Sequence, residues 1–150
     1  KNNIKVALTF SDLSMVKYHK NGFESILKNN IDLLFCNEEE ALTFSEKNSL
    51  KEASEFLLQF SKIVVITRGD KGSIIVNFKE KIIIDSIKTQ AIDTVGAGDA
   101  FSGSFLYGIT NGMNLENSGK LASVLSSKVV SKIGPRLNKE NINIIKKSLL

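Results

Sequence analysis

The sequence predicts an α/β fold with a mostly parallel sheet and an antiparallel hairpin attached to it. Three observations carry that expectation. Short apolar, partly β-branched runs alternate with segments of helical periodicity as far as Thr67. Two of those runs, residues 31–36 and 63–67, are almost wholly apolar, as strands buried on both faces are. After Gly72 the pattern changes to two strand-like runs around a short turn, followed only by helical segments.

Each element can be justified in order. Val6-Ala7-Leu8-Thr9-Phe10 reads as a strand that stops at Ser11-Asp12. Residues 14–27 fit a helix, with Met15, Tyr18, Phe23 and Ile26 as the expected buried positions and Gly22 as a weak spot. Residues 31–36 form the second strand, Asn37 ends it, and a short helix covers 38–44. Ser49 is placed to cap a helix over 50–61, with Ala53, Phe56, Leu57 and Phe60 at helical spacing. Residues 63–67 are the clearest strand, and Arg68 to Gly72 form a turn. Residues 73–77 and 81–86 make a hairpin around Phe78-Lys79-Glu80. Residues 100–110 read as a helix with Phe101, Phe105, Leu106 and Ile109 inward. Residues 115–131 form another helix rich in small residues, Gly134-Pro135 breaks it, and 138–150 form a last amphipathic helix. No repeat, low-complexity tract or long linker interrupts the chain, which reads as one domain.

Composition excludes several function classes. The 150 residues suffice for a domain with a real core, and 42% hydrophobic with 24% charged residues is ordinary globular usage. The 20 basic residues are interspersed with 16 acidic ones, without a basic stripe carrying aromatics. The net charge of +4 therefore does not point to nucleic acid. Cys36 is the sole cysteine, so neither a disulfide framework nor a zinc cluster is expected. His19 is the sole histidine, which removes His-rich metal sites and most Ser-His-Asp schemes. No apolar run approaches the roughly 20 residues of a membrane span. The opening Lys1-Asn2-Asn3-Ile4-Lys5 lacks signal-peptide shape and an initiating Met, so the chain reads as part of a larger, cytoplasmic protein.

The chemistry concentrates in Asp93-Thr94-Val95-Gly96-Ala97-Gly98-Asp99-Ala100-Phe101-Ser102-Gly103. A glycine-lined turn feeding a helix N-terminus is an anion site, because free N–H groups and the helix dipole point the same way. Asp99 sits beside it. An anion seat with an adjacent carboxylate is what phosphoryl transfer to a hydroxyl needs. A dinucleotide fingerprint would require a third glycine where Phe101 stands, and a strand after the helix. A P-loop would require lysine where Ser104 stands. Two plainer readings remain beside the anion site: a tight ligand-free loop, and Asp99 as a helix cap.

The stretch from Asp93 to Phe101 resembles a signature of the ribokinase-like, or PfkB, family of carbohydrate and nucleoside kinases. Two further motifs fall in the family's order. Asn37-Glu38-Glu39-Glu40 is similar to its Asn-x-x-Glu motif, and Thr67-Arg68-Gly69-Asp70-Lys71-Gly72 to its Thr-x-Gly-x-x-Gly nucleotide loop. Ser11-Asp12 and Phe105-Leu106-Tyr107-Gly108 look most like adenosine-kinase-like members. The resemblance covers essentially the whole chain but only the C-terminal half of the family's pattern. It implies a three-layer α/β/α ribokinase-like fold that lacks the N-terminal substrate and lid half.

It also implies roles. Asp99 would be the general base toward the acceptor hydroxyl, and the backbone N–H groups of Gly96, Ala97, Gly98 and Asp99 would hold the charge on the transferring group. Asn37 and Glu40, three apart at a helix start, would order Mg²⁺, partly through water. The plainer reading is that acidic residues simply favour a first helical turn. Thr67, Arg68, Gly69, Asp70, Lys71 and Gly72 would wrap the nucleotide, although Gly-Asp-Lys-Gly is also an ordinary turn. Ser123 corresponds to an adenine-side contact or to helix packing. Asp93, the Val95 carbonyl and Gly134 match a region where some members bind a monovalent cation such as K⁺, and Asp93 equally suits a turn cap. The expected function is an ATP- and Mg²⁺-dependent kinase acting on a small sugar or nucleoside, with adenosine, ribose, fructose or a keto-deoxy sugar as acceptor. Such an enzyme needs neither nucleic acid nor membrane, and a homodimer of the full-length protein fits it. The alternative is a nucleotide-binding module without catalysis.

Overall fold

The computed structural model describes residues 4–135 and 137, so the helix expected over 138–150 lies outside the described residues. The chain forms two compact units. One comprises the chain up to Arg68 together with Ile74–Ile82, and the other Gly69–Ser73 together with the chain from Ile83 onward.

The first unit is built on the parallel strands β1 (Ala7–Thr9), β2 (Ile31–Asn37) and β3 (Ser61–Thr67). Ala7 pairs with Leu33, Leu33 with Ile63, and Asn37 with Thr67. Parallel neighbours need long crossovers, and helices supply them. These are α1 (Leu13–Tyr18) and α2 (Lys20–Leu27), then α3 (Glu38–Ser45) and α4 (Leu50–Leu57). The sheet continues in the order β1-β2-β3-β4-β5, with β4 (Ser73–Asn77) and β5 (Lys81–Ile84) joined by the short turn that only antiparallel partners allow. Phe10 anchors the core, its ring 5.0 Å from that of Phe23 and 4.7 Å from that of Phe44. Each such ring removed from water contributes about 1.5–3 kcal/mol.

Two expectations are corrected here. The helix expected over 14–27 breaks at His19, which leaves helical geometry with φ −124° and ψ 26°. Its buried stripe is Val16, Phe23 and Leu27, while Met15, Tyr18 and Ile26 are exposed, Tyr18 at 81%. Val16, Phe23 and Leu27 are spaced i, i+7, i+11. Met15 and Ile26 lie one position off that face, and Tyr18 lies on the opposite side. The helix after Ser49 ends at Leu57 rather than at 61, because Leu58 to Phe60 close it with tight turns and β3 already begins at Ser61. Ser49 is the cap, accepting the Glu52 N–H.

The second unit packs α5 (Ala97–Thr110) against α6 (Leu115–Val130). The small residues of α6 permit the approach: a Cβ on Gly108 would lie 2.6 Å from Ser118 Oγ. Its buried hydroxyls are satisfied by backbone carbonyls, Ser118 donating to Asn114 at 2.8 Å and Ser127 to Val124 at 2.8 Å. The turn ahead of α5 is fastened to the chain after α6. Asp93 Oδ1 accepts the Val95 N–H at 2.9 Å and Oδ2 accepts the Gly134 N–H at 3.0 Å. Gly96 then caps α5 in the left-handed region at φ 79°, and a Cβ there would lie 2.5 Å from Pro135 Cβ. The helix thus starts at Ala97, three residues earlier than expected, because Gly96 closes the turn and the Ala100 N–H already reaches its carbonyl.

Gly96→Ala forces a left-handed alanine onto Pro135 and is expected to destabilise by about 1–3 kcal/mol or more in a denaturant melt. Gly98→Ala, at a helical position with no atom within 4 Å of the added Cβ, is expected to change stability by less than about 1 kcal/mol. The Val95 and Gly134 N–H groups hold the Asp93 carboxyl below its ordinary value. Its folded state therefore favours the ionised form, so its stabilisation is full above the unfolded pKa and fades as pH falls through the lower folded one. The difference in melting temperature between wild type and Asp93→Ala is expected to shrink as pH drops below about 4.

Candidate functional site

In the first unit the site lies at the carboxyl ends of β2 and β3, where open α/β sheets bind ligands. Asn37 and Glu40 form a reciprocal capping box: Asn37 Oδ1 accepts the Glu40 N–H at 2.8 Å and Glu40 Oε2 accepts the Asn37 N–H at 2.9 Å. Glu40 is 3% exposed. Burial pushes its pKa up, the Asn37 N–H pulls it partly back, and the charges of Asp12 and Glu39 raise it further. The capping box explains why these residue types open α3. The box leaves the Glu40 carboxylate almost wholly buried in the first turn of α3. An amide oxygen and a carboxylate with lone pairs to spare fit Mg²⁺, a metal that keeps several waters and takes few protein ligands. Among the described residues no cluster of three His, Cys, Asp or Glu side chains could form a full cage.

Thr67 Oγ1 donates to the Cys36 carbonyl at 3.5 Å and so ties the two strand ends together. The next residue, Arg68, has Nε 3.6 Å from Glu38 Oε2.

The second unit holds a cavity of about 570 Å³, a size that takes a nucleoside. Gly69, Asp70 and Gly72 line it, with Ile87, Phe101 and Ser123 among the other walls. The loop's shape is set by Gly72, at φ 81°, whose absent Cβ would overlap the Ile84 carbonyl at 2.0 Å. Ser86 Oγ donates to the Asp70 carbonyl at 2.5 Å and pins the loop to the segment that continues the wall. Ser123 Oγ donates to the Asp85 carbonyl at 3.1 Å, so it serves packing as well as lining. Of the six motif residues from Thr67 to Gly72, Gly69, Asp70 and Gly72 line this cavity, whereas Thr67, Arg68 and Lys71 do not.

Sequence reasoning missed much of the wall. Ser126, Ser127 and Val130 join Ser123 there, at the i, i+3, i+4, i+7 spacing of one helix face. That spacing was readable. The irregular segment from Ser86 to Ala91 carried no motif.

At the head of α5, Thr94 and Ala97 line the same cavity, and Asp99 follows two residues on, exposed, in the first helical turn. The Ala97 N–H donates to the Thr94 carbonyl at 3.2 Å, so the anion seat is narrower than expected. The N–H groups of Gly98 and Asp99 are the ones that helix geometry leaves without an acceptor four residues back. Gly96 holds the cap position of α5, and Asp99 stands in its first turn. Both Asp93 carboxylate oxygens accept backbone N–H groups, from Val95 and Gly134, which is the turn-cap arrangement weighed beside the cation region.

These features can be set against known proteins. Residues 1–142 match the model of the pfkB family carbohydrate kinases. An uncharacterized sugar kinase of Archaeoglobus fulgidus is 33% identical over 114 residues, 75% of this chain and 45% of that protein. A cytidine kinase of Thermococcus kodakarensis is 35% identical over 107 residues, 69% of this chain and 38% of that protein. The crystal structure of adenosine kinase from Sinorhizobium meliloti superposes with a TM-score of 0.90 at 29% identity, covering 96% of this chain and 45% of that one. The chain thus spans less than half the length of these relatives. No helix among the described residues is long and apolar enough to cross a membrane. With its α/β architecture, the Asn37–Glu40 box and the Asp93–Phe101 turn in the family's order, the chain belongs to the pfkB family of carbohydrate kinases and carries part of the ribokinase-like fold.

Proposed function

We propose that this chain supplies the nucleotide site and the catalytic turn of an ATP- and Mg²⁺-dependent kinase that phosphorylates a sugar or nucleoside hydroxyl. The observation that carries this reading is that Thr94, Ala97 and Phe101 at the head of α5 line the cavity, while Asp99 stands exposed in the first turn of the same helix. Asp99 would accept the proton of the acceptor hydroxyl as that oxygen attacks the γ-phosphorus, and the bridging bond to ADP would break. Transfer of this kind is mostly positioning and charge stabilisation, so a modest carboxylate base suffices. The Gly98 and Asp99 N–H groups, at the positive end of the 14-residue α5, would face the charge on the transferring group. Gly98 supports this reading on separate grounds. Neither its backbone angles nor its surroundings require glycine, whereas a phosphate approaching the main chain does.

Asn37 and Glu40 would hold Mg²⁺ partly through water, and Asp93 with the Val95 carbonyl and Gly134 would seat a monovalent cation. Adenosine, cytidine and ribose-type sugars are the acceptors to test first. The relatives' longer chains favour a second reading, in which this segment binds nucleotide and depends on further chain for its acceptor. A kinase of this kind fits a cytoplasmic setting, where ATP is available.

In the protein that carries this chain, Asp99→Asn is expected to lower kcat by about 10²–10⁴-fold in coupled ADP detection, with the KM for ATP little changed. Undiminished turnover on every acceptor tried would show that Asp99 is not the base. Tight Mg–ATP binding with no acceptor turned over would favour the binding module.

A further inference from the structure

Among the described residues, two buried side-chain polar atoms have no hydrogen-bond partner: Arg68 Nε and Ser73 Oγ. In sequence they stand immediately before and immediately after Gly69-Asp70-Lys71-Gly72. Buried polar atoms are nearly always satisfied, and an exception calls for an explanation. The deficit weighs more on Arg68, because an unsatisfied charged donor is costlier than a neutral one. Its side chain is 23% exposed, and its acidic neighbour is Glu38, with Oε2 3.6 Å from Nε. That separation makes an ion pair but is too long for a hydrogen bond. The sheet register explains the proximity. Asn37 lies opposite Thr67, so Glu38 and Arg68 are the residues that leave β2 and β3 side by side.

We infer that Arg68 is an oxyanion-binding residue whose guanidinium is contested between Glu38 and a phosphate group. Without an anion, Glu38 keeps the cation in place and leaves its Nε unsatisfied. With one, the guanidinium fork closes on phosphate oxygens, a geometry it matches in a bidentate fashion, and Glu38 is released. The inference rests on the proposed nucleotide reading and adds a rule to it: Glu38 competes with the ligand. A purely structural ion pair would make both residues support the site. Glu38 is dispensable for the helix start, which Asn37 caps together with Glu40.

The opposite signs make the test. Binding of Mg–ATP and of Mg–pyrophosphate is measured by calorimetry for wild type, Arg68→Gln, Arg68→Lys, Glu38→Gln and the Arg68→Gln/Glu38→Gln double variant, each first checked for an unchanged melting profile. Arg68→Gln is expected to weaken binding about tenfold or more, and Arg68→Lys less. Glu38→Gln is expected to tighten binding several-fold, and that gain is expected to vanish when Arg68 is glutamine. Weaker binding by Glu38→Gln would overturn the inference. So would a gain that persists in the double variant, because Glu38 would then act by general charge and not through Arg68. Should pyrophosphate show the expected pattern while ATP does not bind, the inference stands and the nucleotide reading falls. If neither probe binds, both fall.

Discussion

The turn from Asp93 to Gly96 decides where α5 begins, and most of the candidate site follows from that. Asp93 grips the Val95 and Gly134 N–H groups, and Gly96 packs on Pro135 in a conformation that side chains resist. The helix must therefore start at Ala97, which puts Gly98 and Asp99 in its first turn. Any other start would rotate Asp99 by about 100° per residue around the axis and move the unsatisfied N–H groups with it. An exposed carboxylate in the first turn of a helix whose head lines a cavity is thus a consequence of backbone closure elsewhere.

The glycines divide into those the fold needs and those it does not. Gly72 and Gly96 would each collide with backbone or with Pro135 if they carried a Cβ. Gly98 would not, and it is helical. A residue that folding does not demand, placed at a helix N-terminus beside a cavity, invites a ligand explanation. Arg68 Nε and Ser73 Oγ point the same way, since a buried atom without a partner is a cost the folded chain alone does not offset.

The parallel strands were readable because burial on both faces leaves runs such as Leu33-Leu34-Phe35-Cys36 with almost no polar residue. The motif turns were readable because glycine at fixed spacing has few other uses. The phase of the first helical segment was not. Met15, Tyr18 and Ile26 are apolar yet exposed, and only tertiary packing selected Val16 and Leu27 over them. The cavity wall on α6 escaped for a different reason. Serine reads as polar surface in a sequence, whereas here hydroxyls satisfied by carbonyls make it a small residue suited to close packing and to lining a pocket. The Arg68–Glu38 pair was invisible because it depends on the register of β2 against β3.

On the proposed function, the loop at Gly69, the α6 serines and the head of α5 serve one nucleotide. Backbone amide resonances followed during a titration with Mg²⁺ and a non-hydrolysable ATP analogue test it most directly. Saturable shifts with one common dissociation constant are expected at Gly69, Gly72, Ser123, Gly98 and Asp99. Shifts at the loop and at Ser123 with Gly98 and Asp99 unmoved would contradict the catalytic turn, and no saturable shift at any of the five would contradict the nucleotide site.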